Sequence, residues 1–70
     1  MRNRIRDLRE ARRWTQTDLA QLAGVTRQAI HAIERNKHDP SLTLAARIAR
    51  ALGQPLDHVF HLDELGGDRR

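Results

Sequence analysis

Apolar residues recur at helical spacing along most of this chain, and the breaks between them mark off five short segments. Ile5, Leu8 and Ala11, with the stem of Arg12, form the inner stripe of a first helix over about residues 3–12. A second helix, about 16–23, carries Leu19, Ala20, Leu22 and Ala23. In a third, about 26–35, Ala29, Ile30 and Ile33 cluster on one side, and Arg27, Gln28, His31 and Arg35 fall on the opposite arc. A fourth, about 42–52, buries Leu44, Ala45, Ile48, Ala49 and Leu52. A fifth, about 55–60, has Pro55 in its first turn and ends near Phe60. The pattern predicts an all-α fold.

The residues at the breaks agree with these bounds. Thr15, with Asp18 three positions on, makes a capping-box pattern. Thr26 and Ser41 are N-caps ahead of the third and fourth helices. Gly24 and Gly53 stand where helices end in the left-handed region, and Asn36 stops the third because asparagine also tolerates that region. Trp14 caps the core between the first two helices. Its indole N–H is expected near the surface. The tail, 61–70, is weakly apolar at Leu62 and Leu65 and closes on Gly-Gly-Asp-Arg-Arg, which is expected to fray.

Composition narrows the class. Seventy residues make one small domain with little core, and many of that size gain stability from a partner subunit. Without cysteine there is no disulfide and no thiolate metal site. The arginine-rich start has no apolar stretch behind it, and no apolar run approaches the roughly 20 residues of a membrane span, so a cytoplasmic protein is expected. The net charge is +4, with Arg2, Arg4, Arg6, Arg9, Arg12 and Arg13 crowding the first helix and its exit. Asp57, Asp63, Glu64 and Asp68 lie near the other end. A basic half suits a polyanion, although a solvated helix surface would look the same. Trp14 and Phe60 are the only aromatics, too few for a single-strand stacking platform.

The run from Thr15 to Glu34 thus reads as helix, tight turn and helix. With it, the chain resembles the Xre-type helix-turn-helix domains shared with phage repressor and Cro proteins. The resemblance rests on Thr15-Gln16, Leu19-Ala20, Gly24-Val25-Thr26-Arg27, Ile30, Ile33-Glu34, Pro40-Ser41, Leu44, Ile48-Ala49, Leu52 and Phe60, an ordered set over about residues 3–60. It implies a compact five-helix domain, about 1–60, that binds duplex DNA, usually as a dimer, with helix three in the major groove. By position, Thr26, Arg27, Gln28 and His31 match the base-facing or backbone-facing positions of the family. Gln16 matches a phosphate-contacting glutamine, and Asn36 and Lys37 match a loop on the sugar-phosphate backbone. In similar domains the positions of Arg9 and Glu34 form a partly buried ion pair, so both are taken as structural. Three departures stand out: Trp14 where leucine is commoner, Asn36 for a frequent glycine, and His31 in place of a small polar residue.

The side chains themselves suit this chemistry. Arginine donates two hydrogen bonds to guanine and glutamine pairs bidentately with adenine, so Arg27 and Gln28 are candidate base contacts, with His31 one turn beyond. Gln16 sits at a helix N-terminus that favours a phosphate, and Thr26, Arg35, Asn36 and Lys37 are further candidate phosphate contacts. No nucleophile–base constellation or phosphate-cradling glycine loop stands out, so no enzyme and no cofactor are expected. His58 and His61, with Asp57 and Asp63 nearby, are too weak a set for a metal site. Leu56, Val59, Phe60 and Leu62 are the expected homodimer surface, and in similar short regulators the segment after helix five adds a strand across the dimer. The expected function is a sequence-specific DNA-binding regulator, a repressor in its simplest form. An antitoxin or a restriction-system controller would use the same domain. The alternatives are a helical protein-interaction module, whose partner the sequence does not identify, and a nonspecific architectural DNA binder.

Overall fold

Five helices follow one another in the computed structural model, which describes residues 2–62: α1 (Ile5–Ala11), α2 (Gln16–Ala23), α3 (Arg27–Glu34), α4 (Leu42–Leu52) and α5 (Leu56–Val59). Local chemistry sets most of their ends. The Thr15 hydroxyl accepts from the Asp18 N–H at 3.0 Å while the Asp18 carboxylate accepts from the Thr15 N–H at 2.8 Å, so both halves of the capping box close α2. The Thr26 and Ser41 hydroxyls accept from Ala29 and Leu44 N–H groups, each at 3.1 Å. Gly24, at φ +72°, ends α2; its N–H reaches the Gln21 carbonyl and the Val25 N–H reaches that of Ala20. Asn36, at φ +59°, follows α3 as its amino-acid type suggests.

The core forms where these helices meet. Ile5, Leu19, Ile30, Ile33, Ile48, Leu52, Val59 and Phe60 are sealed from solvent, with Ala20, Ala23, Ala45 and Ala49 filling the close approaches. Each large side chain of this set contributes about 1.5–3 kcal/mol. Among the described residues no polar or charged residue is buried as a whole. Trp14 packs half-buried against this cluster.

Several expectations need correction. Helix α1 starts at Ile5, not about Asn3, because residues 2–4 pair with residues 59–61: Asn3 and Phe60 form an antiparallel bridge, Arg4 N–H donates to the Val59 carbonyl at 2.7 Å, and His61 N–H donates to that of Arg2 at 2.9 Å. Ala11 is exposed rather than inward. The chain leaves α1 through Arg13 at φ +60°, and the inward position is taken by Arg12, whose guanidinium donates to the Leu8 carbonyl at 2.8 Å and the Leu52 carbonyl at 2.6 Å. Leu22 is 59% exposed and Leu44 only half-buried. Pro55 precedes α5 as its N-cap, and Phe60 is extended.

The expected dimer surface is corrected in part. Val59 and Phe60 are 0% and 1% exposed in the single chain, where they close the core over Ile5. Leu56 and Leu62 stay partly uncovered. The strand-like stretch at Phe60 finds its partner at Asn3 of the same chain. The remainder of the tail, with Asp63 and Leu65, lies outside the described residues. No described helix is long and apolar enough to cross a membrane.

Candidate nucleic-acid interface

Helix α3 is divided lengthwise. Ile30 and Ile33 are buried and Ala29 and Ala32 half-buried, whereas Arg27, Gln28, His31 and Arg35 are exposed. The buried face packs α3 against α2 and fixes its roll about its own axis. That roll decides which side chains reach outward. Thr26 holds the first turn, so Arg27 and Gln28 leave a capped helix start, and their side chains make no hydrogen bond with any described residue.

Behind this face lies a polar network. Arg9 donates from Nε to Glu34 Oε2 at 2.8 Å and from Nη2 to Oε1 at 3.1 Å, and its remaining nitrogen donates to the Trp14 carbonyl at 2.8 Å. The two side chains are 11% and 4% exposed, so the pair joins α1 to α3 with little water around it. Hydrogen bonding to Glu34 raises the Arg9 pKa above the ordinary arginine value despite the opposing effect of burial. Gln16 donates from Nε2 to Glu34 Oε1 at 3.2 Å, and the same nitrogen stands 3.5 Å from His31 Nδ1. The first turn of α2 is thereby held to the outer face of α3. Between them is an open cleft of about 280 Å³ lined by Arg6, Arg9, Glu10, Gln16, His31, Glu34 and Arg35. The Arg6–Glu10 pair at its edge, 3.1 Å apart and largely exposed, adds little to stability.

The structure therefore gathers Gln16, His31 and Arg35 around one cleft, with Arg27 and Gln28 on the first turn of the same helix face. Asn36 and Lys37 follow in the exposed loop, turned back by N–H groups that donate to the Ile33 and Ala32 carbonyls at 3.0 Å each. Arg9 is occupied by Glu34 and Trp14. His58 Nδ1 stands 3.4 Å from Gln54 Oε1, in the connection ahead of α5, and no described group of three or more residues is arranged to hold a metal.

The sequence reading missed Asn3. Its side chain donates to the Ile33 carbonyl at 2.8 Å and to Asn36 Oδ1 at 3.4 Å, and accepts from the Ile5 N–H at 3.1 Å. An asparagine two residues ahead of a helix start is a local capping signal, but nothing local points to its reach to α3.

A helix-turn-helix family pattern matches residues 5–59. An uncharacterized HTH-type transcriptional regulator of Methanothermobacter thermautotrophicus is 51% identical over 67 residues, covering 94% of this chain and 97% of that protein. The restriction-modification controller protein C.AhdI of Aeromonas hydrophila superposes with a TM-score of 0.77 at 33% identity, over 81% of this chain and 86% of that one. The N-terminal DNA-binding domain of SinR from Bacillus subtilis does so at 0.75 and 28%, over 91% of each.

This chain belongs to the helix-turn-helix family.

Its helix-turn-helix unit is α2, the turn at Gly24 and α3, within a repressor/Cro-like arrangement of five helices. The family is one of DNA-binding transcriptional regulators. In such a unit the second helix is the one that addresses bases. The helix-turn-helix geometry accounts for the division of α3: one face must be locked in the core for the other to be presented in a fixed orientation.

Proposed function

We propose that the chain is a sequence-specific repressor that lays α3 in the major groove of duplex DNA and reads an inverted repeat as a homodimer. The observation that carries this reading is the outer first turn of α3, where Arg27 and Gln28 stand exposed and without a hydrogen-bond partner among the described residues, on a helix whose other side is buried. Arg27 then pairs with guanine O6 and N7, Gln28 with adenine, and His31 with a base edge one turn further on. The Thr26 hydroxyl already accepts from Ala29, which leaves its hydrogen for a phosphate. Arg35, Asn36 and Lys37 meet the backbone beyond. Gln16 contributes through the N-terminus of α2, where free N–H groups favour an anion. Its side-chain amide reaches a phosphate by leaving His31.

One copy offers few base contacts. Two copies double them, and in an additive picture the selectivity is squared. Their recognition helices would lie about 34–36 Å apart, one turn of DNA. Leu56 and Leu62 supply the apolar part of the contact between copies. A bound dimer represses by excluding polymerase from the cytoplasmic DNA it covers, and no catalysis is assigned. Similarity to C.AhdI favours one second reading, control of a restriction system through the same domain.

The test is selection of random duplex DNA by the purified protein at about 150 mM salt, where nonspecific contacts are already weakened. An inverted repeat that is lost on joint Arg27→Ala and Gln28→Ala substitution is the expected result. Binding without any enriched motif would favour an architectural role. No retained duplex from folded protein would overturn the reading and favour a protein-interaction module.

A further inference from the structure

We propose that Asn3 is a positioning residue for the DNA-backbone contacts at the exit of α3. This rests on the DNA-binding reading above and extends it to a residue outside the helix-turn-helix unit.

The last carbonyls of a helix have no partner within the helix, so the path of the chain beyond them depends on what binds there. At the end of α3 the Ile33 carbonyl accepts twice, from the Asn36 N–H at 3.0 Å and from Asn3 Nδ2 at 2.8 Å. The same Asn3 nitrogen stands 3.4 Å from Asn36 Oδ1. Asn36 is a non-glycine residue at φ +59°, a conformation that neighbouring contacts must sustain. One amide thus touches both the carbonyl that closes α3 and the residue that turns the chain toward Lys37.

Asn3 is itself firmly placed. Its Oδ1 accepts from the Ile5 N–H, its backbone is bridged to Phe60, and the next residue donates to Val59 at 2.7 Å. Val59 and Phe60 are sealed in the core. The loop bearing Asn36 and Lys37 is therefore referenced to the core through Asn3, across 33 positions of sequence between the two asparagines.

Phosphate contacts position a protein on DNA and carry no sequence information. Loosening this loop should weaken all duplexes alike, leave the preferred motif unchanged and reduce the number of counterions released. A purely structural role for Asn3 would lower thermal stability and leave the salt dependence of the folded protein alone.

The experiment uses the full chain with Asn3→Ser, which keeps an oxygen for the Ile5 N–H while shortening the reach to α3, alone and combined with Lys37→Ala. The probes are the motif selected by wild type and a random duplex of equal length. Affinities are measured from about 50 to 200 mM salt, at a temperature where thermal melts show every variant folded. Asn3→Ser is expected to weaken both probes about tenfold at the lower salt and to flatten the log affinity against log salt slope by about one. Lys37→Ala should then matter less in the Asn3→Ser background than in wild type. Unchanged affinity and slope, a loss confined to the selected motif, or strictly additive losses would overturn the proposal. Lys37→Ala, at an exposed position, supplies the comparison even if Asn3→Ser folds only in the cold. Failure of wild type to retain any duplex would instead remove the DNA reading on which it rests.

Discussion

Arg9 and Glu34 meet through two parallel hydrogen bonds, 2.8 and 3.1 Å long, that tie α1 to the last residue of α3 directly behind the exposed face. Both side chains are nearly dry. Removing one strands the other without its mate, so Arg9→Ala or Glu34→Ala is expected to cost about 3–5 kcal/mol in urea denaturation. Arg9→Lys should recover only part of this, because an ammonium cannot match the two carboxylate oxygens at once. The sign of the pH dependence follows from the raised Arg9 pKa: its contribution is complete below the ordinary arginine range and is lost only in stronger alkali. The difference between wild type and Arg9→Ala attributable to the guanidinium should stay flat between about pH 6 and 9.

The side chains of Arg27 and Gln28 are exposed. Alanine at either position is expected to leave the melting temperature within about a degree. Each should cost about 1–3 kcal/mol in binding the selected site and relax selection at one base position. A fall in affinity equal for selected and random duplex would assign them to phosphates instead.

Phe60 is core and Leu56 and Leu62 are rim. Phe60→Ala is expected to destabilise the single chain by about 3–5 kcal/mol, measured by denaturation at a concentration low enough to dissociate any dimer. Joint Leu56→Ser and Leu62→Ser substitution should instead shift the sedimentation profile toward monomer with a smaller stability loss. A monomeric wild type at high micromolar concentration would contradict the homodimer.

Gly24 lies at φ +72°, and a Cβ built there would meet nothing nearer than the Arg47 guanidinium at 3.9 Å. Gly24→Ala therefore strains the backbone without a clash, for an expected loss of about 1–2 kcal/mol in thermal denaturation.

What could be read in the sequence was mainly local. Thr15 with Asp18, Thr26, Ser41, Gly24 and Asn36 act on backbone groups within a few residues, so their roles are set by spacing alone. The buried sides of α3 and α4 follow from helical periodicity in the same way. Val59 and Phe60 show where that reading stops. An apolar side chain near the end of a small domain looks the same whether it closes its own core or meets a second copy, and only the path of residues 2–4 decides between them. Asn3 and Arg12 show a second limit. Each is a polar residue that completes backbone groups far away in sequence, Ile33 for one and Leu52 for the other, and no periodicity encodes such a reach. The Arg9–Glu34 pair was expected from family resemblance rather than from spacing.

Arg12 has a further consequence. Its guanidinium closes carbonyls near the C-terminal ends of both α1 and α4 and lies 5.6 Å from the centre of the Trp14 ring. A cation there answers the negative ends of two helices. Arg9 is likewise committed to Glu34 and Trp14. Two of the arginines that give the first helix its basic character are thus turned inward, so the electric field this end of the molecule offers to a polyanion is weaker than its formal charge suggests. Added surface arginines and these two would not be equivalent: the former would steepen salt dependence, whereas neutralising Arg12 would unfasten two helix ends.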